Sequence, residues 1–235
     1  MHKDFFIHII RHKPQLFRSM LAFNGQGDLR PTEVPAGLLR IQGLDAETLW
    51  ANGRARRRLA DQGTSDGPDR FWDFAEESRR LALLPPELLA RAVLQFGVAL
   101  HADELSHLIA SEDVLTARGE IGPELYAYAL QRGRFQAGSL TGLFGDGHGG
   151  LTARIRLHGR QALALCSSVW PRELLDICAA RFAELAPTFS AAGAPDNMDT
   201  DLDETLPTEA RRAVWFGFKK ILLKEVAPQW APCFD

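Results

Sequence analysis

The side chains that could do chemistry are gathered in a few short stretches of this chain. His101-Ala-Asp-Glu-Leu-Ser-His107 brings two imidazoles and two carboxylates close together, the types used by acid–base catalysts and metal sites. On a helix, which turns 100° per residue, a six-residue step points the two histidines away from a common face. His101 with Glu104, and Asp103 with His107, are spaced instead as helix neighbours. A structural or surface role is therefore expected. An enzyme that uses His101, Glu104 and His107 is the rival reading, and it requires those three side chains to converge in a pocket.

Two further stretches mimic known sites. Gly145-Asp-Gly-His-Gly-Gly150 fits the G-x-G-x-x-G pattern that aims backbone N–H groups at a phosphate. The preceding Ser139-Leu-Thr-Gly-Leu-Phe144 is a poor buried strand, and no acidic ribose ligand is well placed downstream, so a flexible loop near 138–150 is expected. Asp199-Thr-Asp201-Leu-Asp203-Glu204 opens with the alternate carboxylates of a calcium loop. Glu204 stands where that loop needs glycine and Ala210 where it needs its bidentate glutamate, which leaves a solvated acidic linker near 191–207. Walker-type phosphate-binding loops and H-E-x-x-H are missing from the sequence, and Ser167 and Ser168 beside Cys166 lie in an apolar helical context. Cys166, Cys178 and Cys233 are too scattered for a disulfide framework or a thiolate zinc site, so a reducing setting is expected. These observations nominate no catalytic residue, no cofactor and no metal.

Charge points away from a nucleic-acid binder, because a net charge of −3 carries no basic excess over the 235 residues. The densest basic cluster is Arg54, Arg56, Arg57 and Arg58, read as a solvated helix face or as a surface for an acidic partner. The apolar C-terminal stretch, with Trp230, Cys233 and Phe234, is expected to fold back onto the core or to anchor a partner. The N-terminal apolar run, broken by His8, is too short for a signal-peptide core or a membrane span.

The elements that must position these residues are helical. Leu88, Leu89, Ala92, Val93, Phe96 and Leu100 recur at three- and four-residue steps, behind Pro86 at a first-turn position and Glu87 at the positive end of the helix dipole. Helices are also expected on either side of Pro14, over 36–43 and 45–61, over 69–83, and on both sides of Gly122-Pro123 and of Pro171. The last runs from Thr208 to Val226, with Val214, Trp215, Phe218, Ile221, Leu222 and Val226 opposite Arg211, Arg212, Lys219 and Lys224. No alternating run argues for a sheet. The fold class is mainly α: a compact orthogonal helical bundle with little or no sheet, expected as one domain over 1–235.

Leu84-Pro-Pro-Glu-Leu-Leu, Phe96-Gly-Val-Ala-Leu-His101, Leu108-Ile109, Val114-Leu115, Tyr126-Ala-Tyr-Ala-Leu130, Leu222-Leu-Lys-Glu-Val-Ala-Pro-Gln-Trp230 and Cys233-Phe234 together resemble the SctK/YscK accessory proteins of bacterial type III secretion systems. The likeness covers residues 70–135 and 210–235 and leaves 1–65 unassigned. It implies a helical, non-enzymatic cytoplasmic adaptor of the sorting platform in a Gram-negative bacterium. Proteins of that family bridge the cytoplasmic domain of the inner-ring protein SctD to the pod protein SctQ, which carries SctL and the ATPase. Such an adaptor has no cofactor, small-molecule substrate or nucleic-acid partner, and meets the membrane only through its partners. Arg54, Arg56, Arg57 and Arg58 are then the expected contacts for an acidic partner, and Trp230 and Phe234 for an apolar one. The alternative is a helical regulator or chaperone that uses the same arginines on nucleic acid.

Overall fold

Proline sets where four of the helices begin, because its fixed φ and missing N–H suit a first turn and little else in a helix. Pro14 opens α2 (Pro14–Phe23) after α1 (Lys3–His12), and Pro86 opens α3 (Pro86–Leu100). Pro123 opens α6 (Pro123–Gln131), while Pro171 stands one residue ahead of α8 (Arg172–Arg181). Between these lie α4 (Ala102–Ser106), α5 (Ser111–Ile121) and α7 (Leu151–Ser167); α9 (Ala186–Ala192), α10 (Thr208–Ile221) and α11 (Ala231–Phe234) complete the series. The computed structural model describes residues 3–25, 70–145, 149–192 and 208–234, among which there is no strand. The protein is mainly α, a packed bundle of helices, as its periodicity predicts. The expected helices at 36–43 and 45–61, the arginine cluster Arg54–Arg58, the calcium-like stretch at 199–204, most of the acidic linker, and Asp146–His148 of the glycine loop all lie outside the described residues.

The described residues fall into two compact units, those up to Glu76 and those from Glu77 to Phe234. In the smaller unit Ile9, Leu16 and Met20 are buried. The Asn24 side-chain amide donates to the carbonyls of Met20 and Phe71, 2.8 Å each, and Phe74 meets the rings of both Phe23 and Phe71 edge-on.

The larger unit is built around α3. Its first half buries only one stripe, but every residue from Gln95 to Leu100 is buried, so the helix runs into the interior and is covered on all sides. Helix α7 crosses it at backbone contact. A Cβ added at Gly97 would lie closer than 3.0 Å to the Ile155 carbonyl, and one added at Gly159 equally close to the Val93 carbonyl. Helix α10 comes in on a third glycine, Gly217, packed on Phe96, and Phe218 completes the ring contact with Phe96 at 5.5 Å.

Four details depart from the expectations. Residues 70–75 are not helical and 77–83 wind as a tight 3₁₀ helix, with Ala75 exposed and Arg80 buried. Here the guanidinium of Arg80 donates to the Cys233 carbonyl at 2.9 Å, a contact 153 residues away that local spacing does not encode. Part of the glycine-rich loop is packed: Thr141 Oγ1 donates to the Leu100 carbonyl at 2.7 Å and Phe144 is buried. The last long helix is α only to Ile221 and widens into a π turn over Leu222–Val226, closed by Ala227 N–H donating to the Leu222 carbonyl. Finally, Lys219, expected on the solvated face, donates to Glu77 Oε2 at 2.8 Å and to the Phe234 carbonyl at 2.7 Å.

The glycine crossing gives a sharp stability test. Replacing Gly97 or Gly159 by alanine drives a methyl into the opposing backbone, and each change is expected to cost about 3 kcal/mol or more in urea unfolding, the upper range for over-packing. Gly119→Ala, in α5 with open space around the new Cβ, should instead stabilise by about 0.5–1 kcal/mol, the ordinary helix gain of alanine over glycine. Equal responses at Gly97 and Gly119 would show that the two helices are not in backbone contact.

Candidate functional site

The end of α3 turns directly into α4, and the residue at the turn is His101. Glu104 follows three positions later in the first turn of α4, so the two side chains meet as the helix spacing predicts, His101 Nδ1 lying 2.7 Å from Glu104 Oε1. Helix α7 carries Arg154 and His158, four residues apart and hence on one face. The close crossing at Gly97 and Gly159 lays that face against the α3–α4 turn. His158 Nδ1 then sits 2.9 Å from His101 Nε2, and Arg154 donates through both terminal nitrogens to Glu104, at 2.6 and 3.3 Å. The His158 ring also stacks on Phe144 at 5.6 Å. The result is a continuous polar chain, Arg154–Glu104–His101–His158, whose two imidazoles are 1% and 2% exposed.

Its electrostatics fix the proton positions. Burial is the largest influence on both histidines and lowers both; for His101 the hydrogen bond and charge of Glu104 oppose it, and Arg154 adds to it. His158 is held down to about 4 by burial and then by its neighbours His101 and Arg154, against a smaller pull from Glu104. Burial pushes the Glu104 carboxyl upward, but its hydrogen bonds from His101 and Arg154 and their charges outweigh that, and its pKa lies below the ordinary value. At neutral pH, therefore, Glu104 is a carboxylate and both rings are neutral. Nδ1–H of His101 donates to Glu104, which leaves Nε2 of His101 as the acceptor of Nδ1–H from His158.

Such a chain orients protons well, but the groups it would need for catalysis are placed elsewhere. His107 is exposed, with Nδ1 2.7 Å from the Asp103 backbone carbonyl, and the Asp103 carboxylate lies 3.8 Å from Arg134. The rival triad of His101, Glu104 and His107 does not converge. The thiols of Cys166 and Cys178 are buried, both raised by desolvation, Cys178 to about 12, and neither is a thiolate at neutral pH. Ser167 and Ser168 donate to carbonyls of their own helix. Among the described residues no group of three histidine, cysteine, aspartate or glutamate side chains could hold a metal ion.

Sequence reasoning found His101 and Glu104 and missed Arg154 and His158. A lone histidine on an amphipathic helix carries no local signal, and its partner is 57 residues away. Of the residues expected to meet partners, Arg54, Arg56, Arg57 and Arg58 lie outside the described residues, as noted above. Trp230 is half-buried in a short turn over Pro228–Trp230. Phe234 is fully buried, 6.3 Å from the Trp215 ring, and Arg80 and Lys219 hold the carbonyls of the last residues. Phe234 is thus a core residue of the larger unit, a correction to its reading as a partner anchor.

The histidine pair predicts an acid-sensitive fold. A histidine whose folded pKa is depressed binds its proton more readily once unfolded, so stability falls as pH drops from about 6.5, the unfolded value, towards about 4, where His158 titrates in the fold. Glu104, whose folded pKa is also depressed, extends the loss in the same direction at lower pH. The contribution of His158 to that window is about 3 kcal/mol. His158→Asn keeps a donor toward His101 Nε2 and removes the titration. Urea unfolding between pH 4.5 and 7 should show a flatter pH profile for this variant, and an unchanged slope would place the acid sensitivity elsewhere.

No family model, no curated protein and no solved structure matches the chain.

Proposed function

We propose that the protein is a non-enzymatic adaptor of the cytoplasmic sorting platform of a type III secretion system, joining a SctD-type cytoplasmic domain of the inner ring to a SctQ-type pod protein. This is the role implied by its resemblance to the SctK/YscK proteins. It works in the cytoplasm, at the inner membrane when assembled, and reaches the membrane through its partners. Among the described residues no helix is long and apolar enough to cross a bilayer, which fits attachment by contact.

The observation that carries the reading is where the molecule spends its chemistry-bearing groups and where it leaves its apolar ones. Buried histidines, thiols and hydroxyls are tied up inside the packing, as described above. Large apolar side chains stand in solvent: Ile109 is 94% exposed, Phe135 73%, and Leu115 and Phe216 67% each. Exposed aromatic and aliphatic anchors of this size are what contact surfaces use. The resemblance residues Phe96, Leu100, Tyr128, Leu222, Cys233 and Phe234, by contrast, are buried and make the body that would present those anchors.

Arg54, Arg56, Arg57 and Arg58 are proposed to set orientation and association rate toward an acidic partner, and half-buried Trp230 to add an apolar contact. The deciding experiment is co-purification of the folded protein with the SctD cytoplasmic domain and, separately, with the SctQ homologue from the same genome. A stable complex with at least one is expected, weakened by Arg57→Glu through a slower on-rate. Failure with both, for protein shown to be folded by circular dichroism, overturns the adaptor reading.

A further inference from the structure

The outer side of α3 carries a groove that the buried network does not use. Two adjoining hollows of about 220 and 280 Å³ share Ala90, Glu184 and Leu185 and run along the N-terminal half of α3, from Pro86 to Leu94. One wall is the exposed face of α7 and the other is the 3₁₀ turn Ala183–Leu185 that follows α8. Phe182, which ends α8, is held there by ring contact with Phe189, itself stacked on Trp170. The wall is therefore part of the packed body.

The lining combines two chemistries. Half-buried Ala90 and Leu94 give it a small apolar floor, backed by buried Val93, Phe182 and Leu185, while four arginines stand against two glutamates. Arg156 and Arg160 are exposed on α7. Among the described residues Arg156 donates only to a neutral backbone carbonyl, that of Glu120 at 3.1 Å, and Arg160 forms no ion pair. Arg91 is partly neutralised by Glu124 at 3.4 Å. Arg181 lies 5.7 Å from the Phe182 ring, and burial lowers its pKa. Among the described residues Arg156 and Arg160 have no carboxylate partner and gain from one, and the half-buried Ala90 and Leu94 beside them gain from being covered.

We propose that this groove is a docking site for an acidic amphipathic helix of a partner protein, with apolar residues at three- and four-residue steps seated on Ala90 and Leu94, and carboxylates paired with Arg156 and Arg160. Its span along α3, about 12 Å at 1.5 Å per residue, takes two to three turns of helix. A continuous polyanion fits less well, since Glu87 and Glu184 on the same lining repel it and phosphates gain nothing from the floor. The groove stands on its own geometry, whichever assembly the protein joins.

The test measures fluorescence anisotropy of three labelled probes on the full chain. One is a twelve-residue helical peptide with leucines on one face and glutamates on the other; the second is its lysine counterpart; the third is a single-stranded oligonucleotide of similar length. The acidic peptide is expected to bind best, more weakly as salt rises, and at least tenfold more weakly to the Arg156→Glu/Arg160→Glu protein. Ala90→Trp, which fills the floor without changing charge, should weaken it to a similar extent. Should the tryptophan variant fail to fold, the exposed arginine pair still decides the matter. The proposal is overturned if the acidic peptide does not bind, if binding ignores the arginine reversal or a folded Ala90→Trp protein, or if the oligonucleotide binds more tightly with the same arginine dependence.

Discussion

Helices α3 and α7 touch backbone to backbone, and most of the larger unit follows from that contact. Side chains normally hold helix axes 8–10 Å apart; glycines at the crossing let the two approach until the space left has no room for a methyl group. Glycine inside a helix costs about 1 kcal/mol relative to alanine, so Gly97 and Gly159 each weaken their own helix. The crossing must return more than that through dispersion between tightly packed atoms. The register is fixed as well, since His101 lies one helical turn beyond Gly97 and His158 next to Gly159. The alignment that keeps both glycines at the contact also sets those imidazoles 2.9 Å apart.

The polar chain that results is a matter of specificity more than of strength. The two neutral rings lose solvation on burial, and only a complete set of partners offsets the loss. Here the set is complete at Glu104, which accepts from His101 and from both terminal nitrogens of Arg154. Slipping α7 along α3 by one residue would break three of these bonds together and leave buried ring nitrogens of His101 and His158 without a partner, which is costly. An apolar replacement of the whole chain could be as stable but would allow more than one helix register. A second network does the same for the end of the molecule: Tyr128 donates to Gln136, Gln136 to Glu225, and Arg132 pairs with Glu225, which joins α6 to the π turn.

Helices whose signal lies in their own sequence were legible. The apolar repeat of α3 behind Pro86, the break at Gly122-Pro123 and the break ahead of α8 at Pro171 needed no tertiary information, and the mainly α class followed from them. Elements decided by distant partners were not. Residues 77–83 look like an ordinary helix until Arg80 is seen to reach the Cys233 carbonyl and Trp170 to donate to Ser78. The glycines after Gly138 suggested a loose loop, because the sequence does not tell that Thr141 ties this stretch to the end of α3 or that Phe144 covers His158. Half of the candidate site was visible as a helix-spaced pair, and the other half came from α7 through the glycine crossing. Gly97 and Gly159 were the available signal, as glycines placed where a helix would otherwise prefer alanine.

Inside and outside of α3 therefore serve different ends. Its second half is buried on every side, where each substitution meets packed neighbours and the helix has no freedom to change partners. Its first half buries one stripe and leaves Glu87 and Arg91 in solvent beside the groove. The rigid half holds the exposed half in place, so a segment that binds there need not order the helix it binds to, and the entropy cost of association falls on the incoming segment alone. The same reasoning explains why the tail is folded in. Lys219 and Arg80 hold the last carbonyls, and Phe234 completes a core that a free tail would leave open. A unit held in this way at α3 and at Cys233–Phe234 can present arginines and apolar side chains at constant spacing, the condition for recognising a partner by the pattern of its residues.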